Sequence, residues 1–344
     1  MRFEVKYFLG VVCLVWSLLS QCAVAHPAVG RKLDSLFTAY TDSGFSGAVL
    51  VSEKGAVTLQ RGYGFANRQH RTPNTSTTLF NIASLGKPFT AYAILLLEKE
   101  GKLRTSDHVS QFIGPFDDAR DSVTIHHLLL HTSGVVKDGA TLDYSTREGF
   151  IRSVKISPPD FVPDSNYRYS NAGYSILAAI IEIVAGEPFE QFLLKKVFVP
   201  AGMHHTGYPW ESRLSKELIA TGYDKNGNAV APQENVWAAR GPGNLVSSVE
   251  DLYAWVQALG SDDFLPGDMK DKFFRDYLPG KETYSWHKDT TSRKSRFYHK
   301  GGGRADFECH LMWYPDDDVL IIFCINNDTN LRGRLFGKIK SLIN

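Results

Sequence analysis

Cysteine is scarce in this 344-residue chain: there are four, and Cys13 and Cys22 both lie within the first 25 residues. That excludes a disulfide-built scaffold and leaves Cys309 and Cys324 as a single pair. An excess of either charge is also lacking, with 38 Lys and Arg against 37 Asp and Glu. No basic stripe or tail stands out, which excludes the electrostatic footprint of a nucleic-acid binder or a polybasic membrane face. No apolar run long enough to cross a bilayer follows residue 25. Internal repeats and low-complexity tracts are absent, so solenoids and disordered arrays are excluded. His127 and His131 have the i, i+4 spacing of a zinc helix, but Leu128, Leu129 and Leu130 stand where its general-base glutamate would be. No metal and no cofactor is expected.

The N-terminus carries export signals. Arg2 and Lys6 form a basic start, diluted by Glu4; Tyr7 to Leu19 is apolar but short for a bilayer span; Ala23-Val24-Ala25 is an A-x-A site. Residues 1–25 read as a signal peptide cleaved before His26, leaving 36 residues of each charge sign. Gln21 before Cys22 does not fit a lipidated cysteine. The expected product is exported, periplasmic or secreted, with no stable membrane insertion after cleavage. It is long enough for one large domain or two lobes. Asn74-Thr75-Ser76 and Asn327-Asp328-Thr329 are glycosylation sequons, relevant only in a host with that machinery.

The stretch Phe80 to Gly101 organises the rest. Phe89, Ala91, Ala93 and Ile94 to Leu97 make a helix apolar on nearly every side, which belongs in a core, and Gly101 stops it. Ser84 and Lys87 stand three apart at its start and share a face. A serine beside a lysine, with unpaired N–H groups at a helix start, can supply a nucleophile, a base and oxyanion donors. The same spacing also fits an N-cap serine followed by a surface lysine. A second such pair, Ser285 and Lys288, lies in a polar run and reads as chance.

Runs bounded by turn residues predict strands over Ser46–Ser52 and Ala56–Tyr63, around Glu53-Lys54-Gly55, and again over Ser295–Lys300, Phe307–Tyr314 and Val319–Asn327. Helices are expected over Val29–Tyr40, Val123–Gly134, Tyr174–Val184, Phe189–Phe198, Ser248–Leu259 and Leu331–Ile343. Strands at both ends with helices between predict an α/β (α+β) class, an antiparallel sheet flanked by helices. The α/β lobe is expected from about 26–105 and 240–344, with an all-helical lobe inserted at about 106–239. If Tyr314 faces Val319 across the Pro315–Asp318 turn, Cys309 faces Cys324, and a bridge between them is open.

Three ordered motifs then carry a resemblance. Ser84-Leu85-Gly86-Lys87 matches S-x-x-K, Tyr169-Ser170-Asn171 matches Y-x-N, and His299-Lys300-Gly301 matches K-T-G or H-x-G. The turn His131-Thr132-Ser133-Gly134 and the run Pro200-Ala201-Gly202-Met203 fit as well. From about Phe45 to Asn327 the chain resembles the serine β-lactamase-related family: class C β-lactamases, D-Ala carboxypeptidases and β-lactamase-like esterases.

The resemblance implies a sheet-and-helix lobe beside a helical lobe, with the active site between them. It implies Ser84 as nucleophile, and Lys87 as base or as the partner of a Tyr169 phenolate. Asn171 would fix Lys87 and a substrate amide. His299 would take the lysine position of the third motif, and Lys300 the hydroxyl position, pointing to the opposite face. The oxyanion would lie between the N–H groups of Ser84 and Gly302, beside Gly301. The expected partner is a small-molecule or peptide substrate. The residues leave open a hydrolase of esters or amides, a D,D-carboxypeptidase, D-aminopeptidase or true β-lactamase, and a non-catalytic sensor of β-lactams or peptidoglycan fragments. The uncharged His299 favours esters over carboxylate-bearing β-lactams.

Overall fold

A computed structural model describes residues 28–139, 142–232, 234–278, 282–328 and 330–343. The signal-peptide expectation for 1–25 lies outside them. The described residues begin with α1 (Ala28–Thr41) and the hairpin β1 (Gly47–Glu53) and β2 (Ala56–Tyr63). Short strands β3 (Phe65–Asn67), β4 (Thr72–Pro73) and β5 (Phe80–Asn81) lead into a 3₁₀ turn, Ala83–Gly86, and α2 (Lys87–Lys99). Helices α3 (Ser110–Ile113), α4 (Ile125–Leu129), α5 (Arg147–Ile156), α6 (Asn171–Ala185) and α7 (Phe189–Leu193) follow. Then come β6 (Val246–Ser247), α8 (Val249–Gly260), α9 (Gly267–Phe273), β7 (His287–Thr290), β8 (Arg296–Arg304), β9 (Phe307–Tyr314), β10 (Val319–Ile325) and α10 (Leu331–Ile343).

Six strands form one antiparallel sheet in the order β2-β1-β10-β9-β8-β7. The N-terminal hairpin thus joins the C-terminal strands, as the sequence pattern implies. Side chains alternate across a strand, and both faces are covered. Val49, Val51, Phe297, Met312, Ile321 and Phe323 share one apolar cluster with Leu33 and Phe37 of α1 and Leu335 and Ile339 of α10. Ala48, Leu50, Tyr298, Leu311, Leu320 and Ile322 face the other way, into a core shared with α2, α4, α6 and α8. That core runs without a break from the sheet layer through α2 to α6, so the 106–239 segment shares it by way of α2. Among the described residues of that segment, the only β contacts are isolated bridges.

Several expectations need correction. Phe189–Phe198 is α only to Leu193 and then continues as one π-helical turn. The strand expected over Ser295–Lys300 does not stop at Lys300: β8 runs through the glycines at 301–303 to Arg304. Ser170 caps α6, accepting from the Gly173 N–H at 3.0 Å, which makes Asn171 the first residue of the helix. Both sequon asparagines are buried, with Asn74 donating to the Tyr63 carbonyl and Asn327 to that of Gly44, which closes them to modification in the folded protein.

Cys309 and Cys324 do face each other in the register set by Tyr314 and Val319. Both are fully buried free thiols. Alkylation of denatured, unreduced protein is therefore expected to add two adducts, and intact mass checks it; no adducts before reduction would show a bridge.

Candidate active site

The nucleophile candidate sits on a constrained turn. Ala83 has φ +45°, a left-handed conformation costly for a residue with a Cβ, and its N–H donates to the Asn81 side-chain oxygen at 2.9 Å. Ser84 follows, half-buried, as the second residue of the turn that opens α2. Two glycines allow other backbone to close on it. A Cβ on Gly302 would stand 2.0 Å from the Ile82 carbonyl oxygen, and one on Gly243 2.1 Å from that of Ala83.

Lys87, one turn on, is fully buried. Its Nζ lies 3.4 Å from Ser84 Oγ, 2.7 Å from Asn171 Oδ1 and 2.8 Å from the Pro242 carbonyl oxygen. The same nitrogen is 4.6 Å from the centre of the Tyr169 ring. Burial first, and the nearby Lys300 cation second, hold the Lys87 amine well below the usual lysine range. Ser84 lowers the Tyr169 pKa, yet burial outweighs it and pushes the phenol up, with Glu282 adding to it. Although 37% of its surface is open to the groove, a resting Tyr169 phenolate is not supported. That corrects one of the two mechanisms the motif allows.

The third motif shifts by one residue. His299 lines the groove that holds Ser84, but its ring is packed away from the nucleophile. It lies on the Phe297 face of β8, its ring stacked between those of Phe297, His287 and His310 and close to Phe336 of α10. Lys300 is the side chain that turns toward Ser84, with Nζ 5.8 Å from the Tyr169 ring centre. Lys300-Gly301-Gly302 is thus a second alignment of the third motif. A glycine run offers no side chain to fix the register, so the sequence admits both alignments. Pairing to β7 ends at His299, and beyond it the β8 edge is open among the described residues. Gly302 is buried against the turn, whereas Gly303 is exposed on the groove beside Ser84.

Lys300 is only 2% exposed and pairs with Glu282 at 3.1 Å. The other Glu282 oxygen is 3.3 Å from His131 Nε2. His131 Nδ1 accepts the Ser170 N–H at 3.0 Å, so it is unprotonated there, and burial holds the ring below the usual histidine range. Burial alone would raise the Glu282 pKa, but Lys300, His131 and His287 outweigh it and keep the carboxylate ionised. The metal-spaced histidines are thus explained: His131 orders the Y-x-N loop, and His127 closes a capping box on Thr124.

A model of the Beta-lactamase family matches residues 33–339. The chain belongs to the Beta-lactamase family. It is 31% identical over 313 residues to penicillin-binding protein 4* of Bacillus subtilis, covering 83% of this chain and 68% of that one. It is 34% identical over 218 residues to the putative penicillin-binding protein PbpX of the same organism, covering 63% and 55%. Among solved structures, a penicillin-binding protein from Bacillus halodurans has a TM-score of 0.76 at 28% identity, covering 89% of this chain and 98% of that one. A class C β-lactamase has a TM-score of 0.81 at 19% identity over 94% and 98%, a likeness of fold. The family is of serine-hydrolase type, and the mixed α/β architecture is that of its β-lactamase and penicillin-binding members.

Within this Beta-lactamase family site, two groups had no motif to announce them. Glu282 lies in a polar run that reads as loop. Asp138 accepts from the Asn171 and Ala172 N–H groups at 2.6 and 2.9 Å, which holds the start of α6 and with it Asn171.

The corrected His299 yields a prediction. Burial and His287 press its pKa down to about 3, and burial presses His310 down as well. Both are neutral in the fold, while in the unfolded chain they bind a proton below about pH 6.5. The unfolded state therefore holds more protons below that pH, and stability is lost as pH falls. By pH 5, His299 alone should cost on the order of 2 kcal/mol. Urea midpoints at pH 7 and pH 5 should show the loss, and His299→Phe should reduce it. An equal loss in that variant would contradict the assignment.

Proposed function

We propose that the chain is an exported serine hydrolase that cleaves an ester or amide of a small carboxylic acid through a Ser84 acyl-enzyme. The observation that carries this reading is how Lys87 is held. A neutral amine has two N–H bonds and one lone pair. Asn171 Oδ1 and the Pro242 carbonyl occupy the two N–H bonds, which leaves the lone pair for the Ser84 hydroxyl. Lys87 is then the general base: it takes the proton as Ser84 Oγ attacks the carbonyl carbon. The carbonyl π pair moves to oxygen, where the N–H groups of Ser84 and Gly303 receive it, Gly303 taking the part expected of the buried Gly302. When the intermediate collapses, the proton passes through Tyr169 to the leaving group. Water repeats the sequence to release the acid. On this reading Lys300 and Glu282 form a fixed pair behind Tyr169, and the lobes meet near residues 105 and 240.

Two features support uncharged substrates. The Lys300 cation is already compensated by Glu282, and Gly301 lacks the hydroxyl that helps grip a substrate carboxylate in β-lactam-binding relatives. Nitrophenyl butyrate is thus expected to exceed a chromogenic cephalosporin in kcat/KM. Gly301→Thr should move the ratio toward the cephalosporin, because the new Cβ meets mainly the movable end of Arg332. Efficient cephalosporin turnover by the unmodified protein would sink the ester preference. A second reading, a peptidase acting on D-Ala-D-Ala termini, is favoured by Arg332 on the wall of the Ser84 groove, where a guanidinium could pair with a terminal carboxylate. Peptide turnover that collapses in Arg332→Ala would select it.

A further inference from the structure

A second cavity adjoins the Ser84 groove. It has a volume of about 410 Å³, within the range of small-molecule sites. Ile219, Ala220, Val230, Pro232, Val246 and Phe307 give it a mainly apolar wall. Its connection to the groove is Arg304, the last residue of β8, which lines both. Arg304 Nε pairs with Asp306 Oδ1 at 2.5 Å, and both residues stand on the cavity wall. Asn81 also lines the cavity, while its side-chain oxygen holds the Ala83 N–H next to the nucleophile. The open β8 edge therefore leads from Ser84 past Gly303 to an apolar chamber.

We propose that this cavity is an acyl-chain subsite: it takes the unbranched apolar chain of a medium-length ester or amide whose carbonyl sits at Ser84. The inference rests on the hydrolase reading above. Its orientation follows from the chemistry. The leaving group must receive a proton beside Tyr169, and Tyr169, Lys300 and Asn171 are all absent from the cavity wall. The portion that stays bound to Ser84 is the acyl group, and the cavity lies on the Arg304 side. The alkyl chain would run along the β8 edge and leave water for the apolar wall. Arg304, tied back to Asp306, borders the entrance without presenting an unpaired charge to the chain.

The test is a series of nitrophenyl esters from acetyl to decanoyl, on the full chain and on Val230→Trp. Val230 is half-exposed on the cavity wall, so a larger side chain there fills the cavity without entering the core. The kcat/KM is expected to rise roughly two- to fourfold per methylene until the cavity is full. In Val230→Trp the ratio of octanoyl to acetyl ester should fall at least about tenfold. Binding of dansyl-undecanoate to Ser84→Ala protein, displaced by octanoate, should weaken by a similar factor when Val230→Trp is added. Clear acetyl-ester turnover with a flat chain-length profile would overturn the subsite and leave the hydrolase standing. Absence of turnover together with no labelling of Ser84 by a fluorophosphonate would overturn the hydrolase reading. Probe binding unaffected by Val230→Trp, or no binding at all, would overturn the subsite in either case.

Discussion

Ser84→Ala is expected to lower kcat/KM by at least about 10⁴-fold on any substrate the protein turns over. The change deletes one hydroxyl from a half-buried position, and the turn is held by other groups: the Asn81 amide on the Ala83 N–H, and Gly243 and Gly302 against the backbone. The urea midpoint should therefore stay within about 0.5 kcal/mol of the parent. A fluorophosphonate should label the parent at Ser84 and leave the variant unlabelled. Near-normal activity in Ser84→Ala would end the proposed mechanism. Loss of activity with loss of folding would not count for it, which is why the midpoint belongs with the rate.

Lys300→Ala should have the largest effect on stability. It leaves Glu282 buried with its main cation gone, and the neutral His131 cannot replace that charge. Removing one partner of a buried ion pair costs about 3–5 kcal/mol. For a chain of this size that is a fall in Tm of roughly 5–8 °C. Adding Glu282→Gln should recover part of it, because the stranded charge is removed with its partner. The pH profile carries an independent signature. The Lys300 cation helps depress the Lys87 pKa. Without it that pKa rises, the neutral amine is scarcer at pH 7, and the acid limb of kcat/KM moves to higher pH. An unmoved limb would show that Lys87 does not titrate in the reaction.

The sequence determined what depends on local pattern. Short, nearly continuous apolar runs bounded by turn residues placed the hairpins, because a strand buried on both faces has no solvent side for polar residues. The all-apolar run before Glu98 placed a core helix, and Ser84 with Lys87 followed from helical spacing. The short turn at Pro315–Asp318 fixed the register that brings Cys309 opposite Cys324. The tertiary structure decided what these local rules leave free. Between His299 and Lys300 the glycine run gives no pattern, and only the packing of Phe297 under α10 and Tyr298 against the α2 layer sets which residue faces Ser84. Glu282, Asp138 and the Pro242 carbonyl come from loops far along the chain, without periodicity, and reach the site because folded elements bring them there. The proton states of Lys87 and Tyr169 were equally hidden. A pKa depends on how much water surrounds a group and which charges stand near it, and the order of residues along the chain specifies neither until the chain has folded.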